Sequence, residues 1–356
     1  MIAAAKPDLL MMPAVPSRLR RGMLLLLGLA CGCSVAHAEP PDYSRTPVLF
    51  VHGHGLSSAD WRPLIAHLTA NGYPRESLRG VDIVPNTMAN VRAATSVIAP
   101  EAAALLARAE AAARRAGYSD EVPRRLDIVS HSMGVVSSRW YATKLRPELV
   151  RTWIGLAGAN HGTNVLCAFY DEAAREMCPA FGTGGRRNAV QLALNGADGA
   201  WIDETPYGLG LDRPGVPRVP SDGTRSILYL TVRVEPDRWI QPERSAVLDG
   251  AGGVPIQVPA GVPVRETSPG NFLFEAPVGH DPLLYHPDLL RLVTAMLTAR
   301  DRTTLRGFHL FDSWEHRISN AVARGAVSRH AIGPAPRSLG DGRHADRAPS
   351  GGGFLG

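Results

Sequence analysis

The stretch Leu126-Asp127-Ile128-Val129-Ser130-His131-Ser132-Met133-Gly134 decides how this chain is read. A short apolar run ends in a serine set between small residues. Val135-Val136-Ser137-Ser138-Arg139-Trp140-Tyr141-Ala142 then continues as a helix that packs on a sheet. This is the layout of a strained strand-to-helix elbow that lifts a serine hydroxyl above a sheet. The next backbone N–H opens the helix, where free donors and the dipole favour negative charge. An oxyanion formed on a carbonyl would lie within its reach. The usual pattern is Gly-x-Ser-x-Gly. Ser130 takes the first small position here.

Working outward, Pro47-Val48-Leu49-Phe50-Val51 reads as a buried strand, and His52-Gly53-His54-Gly55-Leu56 as a tight loop after it. Ser57 or Ser58 caps a helix whose Trp61, Leu64, Ile65 and Leu68 recur at helical spacing, and Gly72 ends it. Val81-Asp82-Ile83-Val84 reads as a second strand, Pro100 to Ala116 as an Ala-rich helix, and Trp153-Ile154-Gly155-Leu156-Ala157 as the strand after the elbow helix. Alternating strands and helices at this spacing predict an α/β fold, a mostly parallel sheet covered on both faces. Residues 160–225 interrupt the rhythm with many Gly and Pro; they are expected to form an insertion with a helix near Asn188–Leu194. The pattern resumes with a strand over Ser226–Val232. A Pro/Gly/Val-rich stretch runs from Gly250 to Gly270, Phe272-Leu273-Phe274 is a last strand, and Pro287 to Ala299 a closing helix.

The net charge of +5 is carried by the ends: residues 1–38 and 301–356 each hold +3, and 39–300 hold −1. That distribution excludes a basic domain built to grip nucleic acid. Arg18, Arg20 and Arg21, the apolar run Met23–Ala30 and the small residues of Ala36-His37-Ala38 predict a cleaved export signal over 1–38, cut after Ala38. The catalytic domain is expected over 39–300. The Arg-, Gly- and Pro-rich segment 301–356, with a short helix near Trp314–Val322, is expected to be a flexible tail. Without the leader two cysteines remain, Cys167 and Cys178, an even number that predicts one disulfide in an exported chain. Closing a loop of about a dozen residues would contribute roughly 3 kcal/mol in the chain-entropy model.

A serine hydroxyl needs a base to take its proton, and the base needs an orienting acid. At Ser132 the chain resembles the α/β-hydrolase superfamily, and within it the small bacterial class 2 lipases. The resemblance rests on Val48–Gly55, Asp127–Gly134, Leu156-Ala157-Gly158-Ala159-Asn160-His161-Gly162-Thr163, and Val278-Gly279-His280-Asp281-Pro282-Leu283-Leu284. It spans roughly 46–300 without much of the insertion, which is longer than such lipases usually carry. The superfamily order Ser, acid, His implies His280 as base, since it follows a strand in a Val-Gly-His turn before an apolar helix. His161 precedes any candidate acid strand and reads as a loop residue. His286 and His309 read as helix or tail residues, and His52 as a brace of its own loop. The backbone N–H of Met133 supplies one oxyanion donor. The resemblance implies the main chain of His54 as the other. The acid should follow the strand that includes Ile227–Val232. Asp237 is expected there, by likeness to the family's aspartate and to a later Asp-Gly-Ala matched by Asp249-Gly250-Ala251, with Glu235 as the competitor. Asp281 is too near His280 in sequence to be expected against its ring.

The resemblance therefore implies an exported serine hydrolase of carboxylic esters, a lipase or esterase acting on apolar acyl groups through an acyl-enzyme. It would need no cofactor and no metal, and would touch a lipid interface transiently. An extracellular polyester depolymerase would carry a similar serine motif. A secreted binding protein on a catalytically dead hydrolase fold is the reading from another class. Gly182-Thr183-Gly184-Gly185 lacks a preceding strand and is not a phosphate loop.

Overall fold

The computed structural model describes residues 39–119, 122–179, 188–195, 204–210 and 226–305. The export signal, the Gly182–Gly185 run, and the tail beyond residue 305 with its expected helix lie outside the described residues. The chain divides into two units, Met1–Glu39 and Pro40–Gly356, and the fold is that of the second.

Seven strands form one sheet in the order β2-β1-β3-β4-β5-β7-β6. They are β1 (Val48–Val51), β2 (Leu78–Val81), β3 (Leu126–His131), β4 (Val150–Leu156), β5 (Leu228–Val234), β6 (Val264–Ser268) and β7 (Asn271–Phe274). All neighbours are parallel except the edge pair β6–β7. Successive side chains of a strand point to opposite faces. Val48 and Phe50 accordingly join a core with Leu64 and Leu68 of α1 (Arg62–Ala70) and Leu292 and Met296 of α7 (Pro287–Leu305). Leu49 and Val51 join the opposite core with Ala93 of α2 (Asn90–Ala93), Leu105 of α3 (Ala99–Arg115) and Val135 of α4 (Met133–Trp140). Burial on both faces explains why these strands read as unbroken apolar runs. Sheet order, antiparallel edge strand and serine elbow together make this an α/β-hydrolase fold.

Several elements differ from the sequence reading. β2 ends at Val81, where the second strand was expected to begin. Beyond it Asp82 accepts from the N–H and hydroxyl of Ser58 (2.7 and 2.8 Å), and Ile83 N–H donates to His52 Nε2 (3.0 Å), so side chains take over from the ladder. The helical run starts at Asn90 and passes through a wider turn, Ala94–Ile98, into α3. Thr95 and Ser96 masked it, because such hydroxyls compete for the backbone; here they donate to carbonyls of the preceding turn. β6 was hidden by exposed charge, which suits an edge strand. α7 runs past residue 300 because Arg151 reaches it: Nη2 donates to Leu297 O (2.9 Å) and Nη1 pairs with Asp301. Arg151 is itself held by the fully buried Asp127 at 2.7 Å, so β3, β4 and α7 share one ion-pair cluster that runs from the buried Asp127 to the part-exposed Asp301.

Within the 160–225 insertion, α5 (Glu172–Glu176) and α6 (Ala189–Asn195) are helical, the latter close to the expected position. A buried arginine of α4 ties the insertion down. Arg139 donates to the carbonyls of Asn160 (3.0 Å), Leu194 (2.9 Å) and Glu204 (2.9 Å). Arg139→Met keeps the volume but removes every one of these donors. Asn160 O keeps a donor in Asn195 Nδ2–H (2.7 Å), so the carbonyls of Leu194 and Glu204 lose theirs. At about 1–3 kcal/mol each, urea unfolding should show a loss of about 2–6 kcal/mol; a change under about 0.5 kcal/mol would contradict this anchoring role.

Candidate active site

The loops that follow β1, β3, β5 and β7 carry the candidate residues, at the end of the sheet where the parallel strands finish. Ser132 links β3 to α4 with φ 53° and ψ −118°, a conformation costing about 1–3 kcal/mol in a residue with a side chain. Its N–H donates to Leu156 O at the end of β4 (3.0 Å), which holds the corner closed. Two glycines admit the geometry. A Cβ on Gly134 would lie 2.5 Å from the carbonyl oxygens of both Val51 and His52. A Cβ on Gly53 would lie 2.8 Å from Ser132 Cβ and 3.4 Å from its Oγ. The loop after β1 therefore passes directly over the serine. Ser130, in the first small position, is buried and donates through Oγ to Ile154 O (3.1 Å).

Asp237 and His280 meet, although 43 residues separate them: the imidazole Nδ1–H donates to Asp237 Oδ2 at 2.8 Å. The aspartate is 2% exposed and the histidine 6%. Asp237 Oδ1 accepts the N–H groups of Trp239 (2.8 Å) and Ile240 (3.0 Å), which fixes the carboxylate against its own loop. His280 Nε2 is buried and has no hydrogen-bond partner among the described residues. The competitor Glu235 points elsewhere and accepts from Arg233 Nε (3.0 Å). Asp281 was expected to face away, yet its Oδ1 lies 4.0 Å from His280 Nε2. Its side chain is half-exposed and stands on the opposite ring nitrogen from Asp237.

Neither the N–H of His54 nor that of Met133 donates to another described residue. His52 braces its loop: Nδ1–H donates to Gly53 O (2.8 Å) while Nε2 accepts from Ile83. Burial holds its pKa down and favours that neutral form. His161 bonds Glu204 (2.9 Å) through Nε2 and is not among the residues around Ser132. Asp249 lies beside Glu204, which accepts its N–H (2.9 Å).

Sequence reasoning missed three contributors. His131, in the variable position before the serine, lies ring to ring with His280 (4.6 Å between centroids), and its Nε2–H donates to His280 O (3.1 Å). Complete burial, together with the neighbouring His280, pushes its pKa well below 6.5. Thr163 Oγ1 donates to Trp239 O (2.6 Å) and accepts from Gln241 N–H (3.1 Å), steadying the Asp237 loop. Asp171 caps α5 and accepts from His54 Nε2–H (3.2 Å); an aspartate before Glu172-Ala173-Ala174 was a legible capping signal. Cys167 and Cys178 are joined as a disulfide with Cα atoms 5.2 Å apart. Phe169 and Trp239, both part-exposed, pair at 6.5 Å beside the Asp237 loop.

Among the described residues one group has donors close enough for a metal ion, His131, His280 and Asp281, with one atom from each within 4.8 Å of the others. Cavities of about 540 and 440 Å³ lie elsewhere, and neither is lined by Ser132, Asp237 or His280. No helix of the described residues is long and apolar enough to cross a membrane.

No family model matches this sequence, and no curated protein matches it. Solved structures do. A structure of the metagenome-derived lipolytic enzymes LipS and LipT is 19% identical with a TM-score of 0.37, over 74% of this chain and 98% of that one. The mature Bacillus licheniformis lipase BlEst2 is 16% identical with a TM-score of 0.36, over 75% and 94%. The RedJ thioesterase of Streptomyces coelicolor is also 16% identical with a TM-score of 0.36, over 74% and 94%. Likeness at this level says nothing of substrate.

Two outcomes are expected of this site. His131 is neutral when folded and ionises near 6.5 when unfolded, so the unfolded state binds more protons below that pH. Stability should fall as pH drops below 6.5, with His131 contributing up to about 1.4 kcal/mol per pH unit. The slope of urea stability between pH 6.5 and 5 should flatten in His131→Gln; an unchanged slope would contradict a buried neutral ring. Replacing both cysteines by serine should cost roughly 2–3 kcal/mol, seen as a lower thermal midpoint that reductant does not shift further.

Proposed function

We infer that this chain is an exported serine hydrolase of carboxylic esters, a lipase or esterase acting on apolar acyl groups. The observation that carries the reading is the 2.8 Å bond from His280 to the buried, doubly anchored Asp237, in a site that also holds a strained serine. Ser132 Oγ attacks the ester carbonyl as His280 Nε2 takes its proton. Asp237 holds the ring in the tautomer that leaves Nε2 free and stabilises the imidazolium. The oxyanion accepts hydrogen bonds from the main-chain N–H groups of His54 and Met133. His280 then protonates the leaving alcohol, which departs and leaves the acyl group on Ser132. Water attacks the acyl-enzyme with His280 as base, and the acid is released. The exposed ring pair of Phe169 and Trp239 beside the acid loop supports an apolar acyl group. The disulfide supports export, since such bonds persist in oxidising compartments.

A screen of p-nitrophenyl esters of graded chain length tests the reading. Ser132→Ala should lose all turnover and all labelling by a fluorophosphonate probe while remaining folded; labelling that persists identifies another nucleophile. Asp237→Asn should lower kcat on the order of 10⁴-fold by disfavouring the required tautomer, and Glu235→Gln should change it little. The reverse order would make Glu235 the acid.

A further inference from the structure

An oxyanion hole works only if its donors are already in place when charge develops. Met133 is fixed as the first residue of a helix. His54 is not fixed by its own backbone, because it stands between Gly53 and Gly55. Gly55 has φ +75° and nothing within 4 Å of where a Cβ would be. Two glycines leave this peptide more freedom than any other pair of residues would. The turn bond from Leu56 N–H to Gly53 O (3.2 Å) closes the loop but does not set its height over Ser132. The His52 ring steadies the same peptide from its other end by donating to Gly53 O (2.8 Å), and the hold from outside the β1 loop is the His54 side chain.

We propose that Asp171 is the positioning residue of the oxyanion loop: its carboxylate grips the His54 imidazole and so fixes the His54 main-chain N–H over Ser132. This rests on the reading of His54 as an oxyanion donor. The carboxylate divides its two oxygens between two tasks. Oδ1 accepts from Ala174 N–H (2.8 Å) as the cap of α5, and Oδ2 accepts from His54 Nε2–H (3.2 Å). The cap fixes the acid, and the acid fixes the loop. The anchor is itself immobilised. Glu172 pairs with Arg92 (2.6 Å), Ala173 N–H donates to Thr87 O (3.2 Å), and the Cys167–Cys178 disulfide closes the segment. At its two ends Thr163 N–H donates to Met177 O (2.7 Å), and Thr163 Oγ1 bonds the loop of Asp237. Residues 163–178 thus reach both the oxyanion loop and the acid loop, two parts that arise from distant strands. A part-exposed imidazole–carboxylate hydrogen bond such as His54–Asp171 contributes little to global stability. Its effect belongs in the rate, where displacement of a catalytic group by about 1 Å costs about 10²-fold.

The test compares the full chain with Asp171→Asn, which keeps a capping oxygen but loses the charge, and Asp171→Ser, which keeps a cap and lacks the carboxylate. On p-nitrophenyl butyrate, both should lower kcat about 10- to 100-fold with KM within about threefold, because the oxyanion contact is made only in the transition state. Asp171→Asn combined with His54→Ala should be no slower than His54→Ala alone, since both remove one contact. Parental kcat in both Asp171 variants, or a double variant that loses the product of the two single effects, overturns the proposal. Hydrogen exchange gives a readout independent of turnover. Amides of residues 53–56 should exchange faster in the Asp171 variants while the thermal midpoint moves little, and unchanged exchange overturns the proposal whatever the kinetics. If the parent chain hydrolyses no ester, the functional reading fails, and exchange alone decides whether Asp171 positions the loop.

Discussion

Everything at the candidate site depends on how closely the first turn of α4 comes to the end of β1. Gly134 sits where a methyl group would strike two carbonyl oxygens at once. That approach lets the chain turn from strand to helix within a single residue, and it leaves the strain on Ser132. The N–H of Ser132, donated to the end of β4, balances part of that cost. The same compression brings Gly53 over the serine and sets the β1 loop opposite the helix N-terminus. A side chain at 134 would strike the end of β1, and one at 53 would strike Ser132 itself.

Electrostatics at the site follow from burial. Asp237 is almost closed off from water, and its carboxylate oxygens accept two backbone N–H groups and one imidazole N–H. His131 lies in contact with the same imidazole but stays neutral, since burial disfavours its charged form and the neighbouring His280 adds to that. It contributes a hydrogen bond to the His280 carbonyl instead. His280 is thus held at its ring by β5's loop and at its backbone by β3. A ring fixed at Nδ1 and at its main chain presents Nε2 in one direction.

The insertion is tied in at more than one point. Arg139 draws in three of its carbonyls from inside the fold, and the disulfide-closed turn reaches the oxyanion loop through Asp171. The part-exposed rings of Phe169 and Trp239 join this turn to the acid loop along the same edge.

The sequence by itself determined the alternation of strands and helices, the elbow at Ser132 and the burial of β1, β3, β4 and β5, because continuous apolar runs and small residues at a corner are local signals. Asp237 and His280 were legible as positions after strands, by order along the chain and by resemblance. Their meeting across 43 residues was a matter of sheet order, which no local pattern encodes. The start of the long helix at Asn90 and the edge strand β6 were not legible. Hydroxyl side chains and surface charge disguise helix and strand alike, and only packing against α5 or pairing with β7 overrides them. The partners of His131, Asp171 and Arg139 were decided by tertiary structure alone. Each is a polar side chain whose role depends on a group 55 to 149 residues away, and hydrogen bonds at that range leave no period in the sequence.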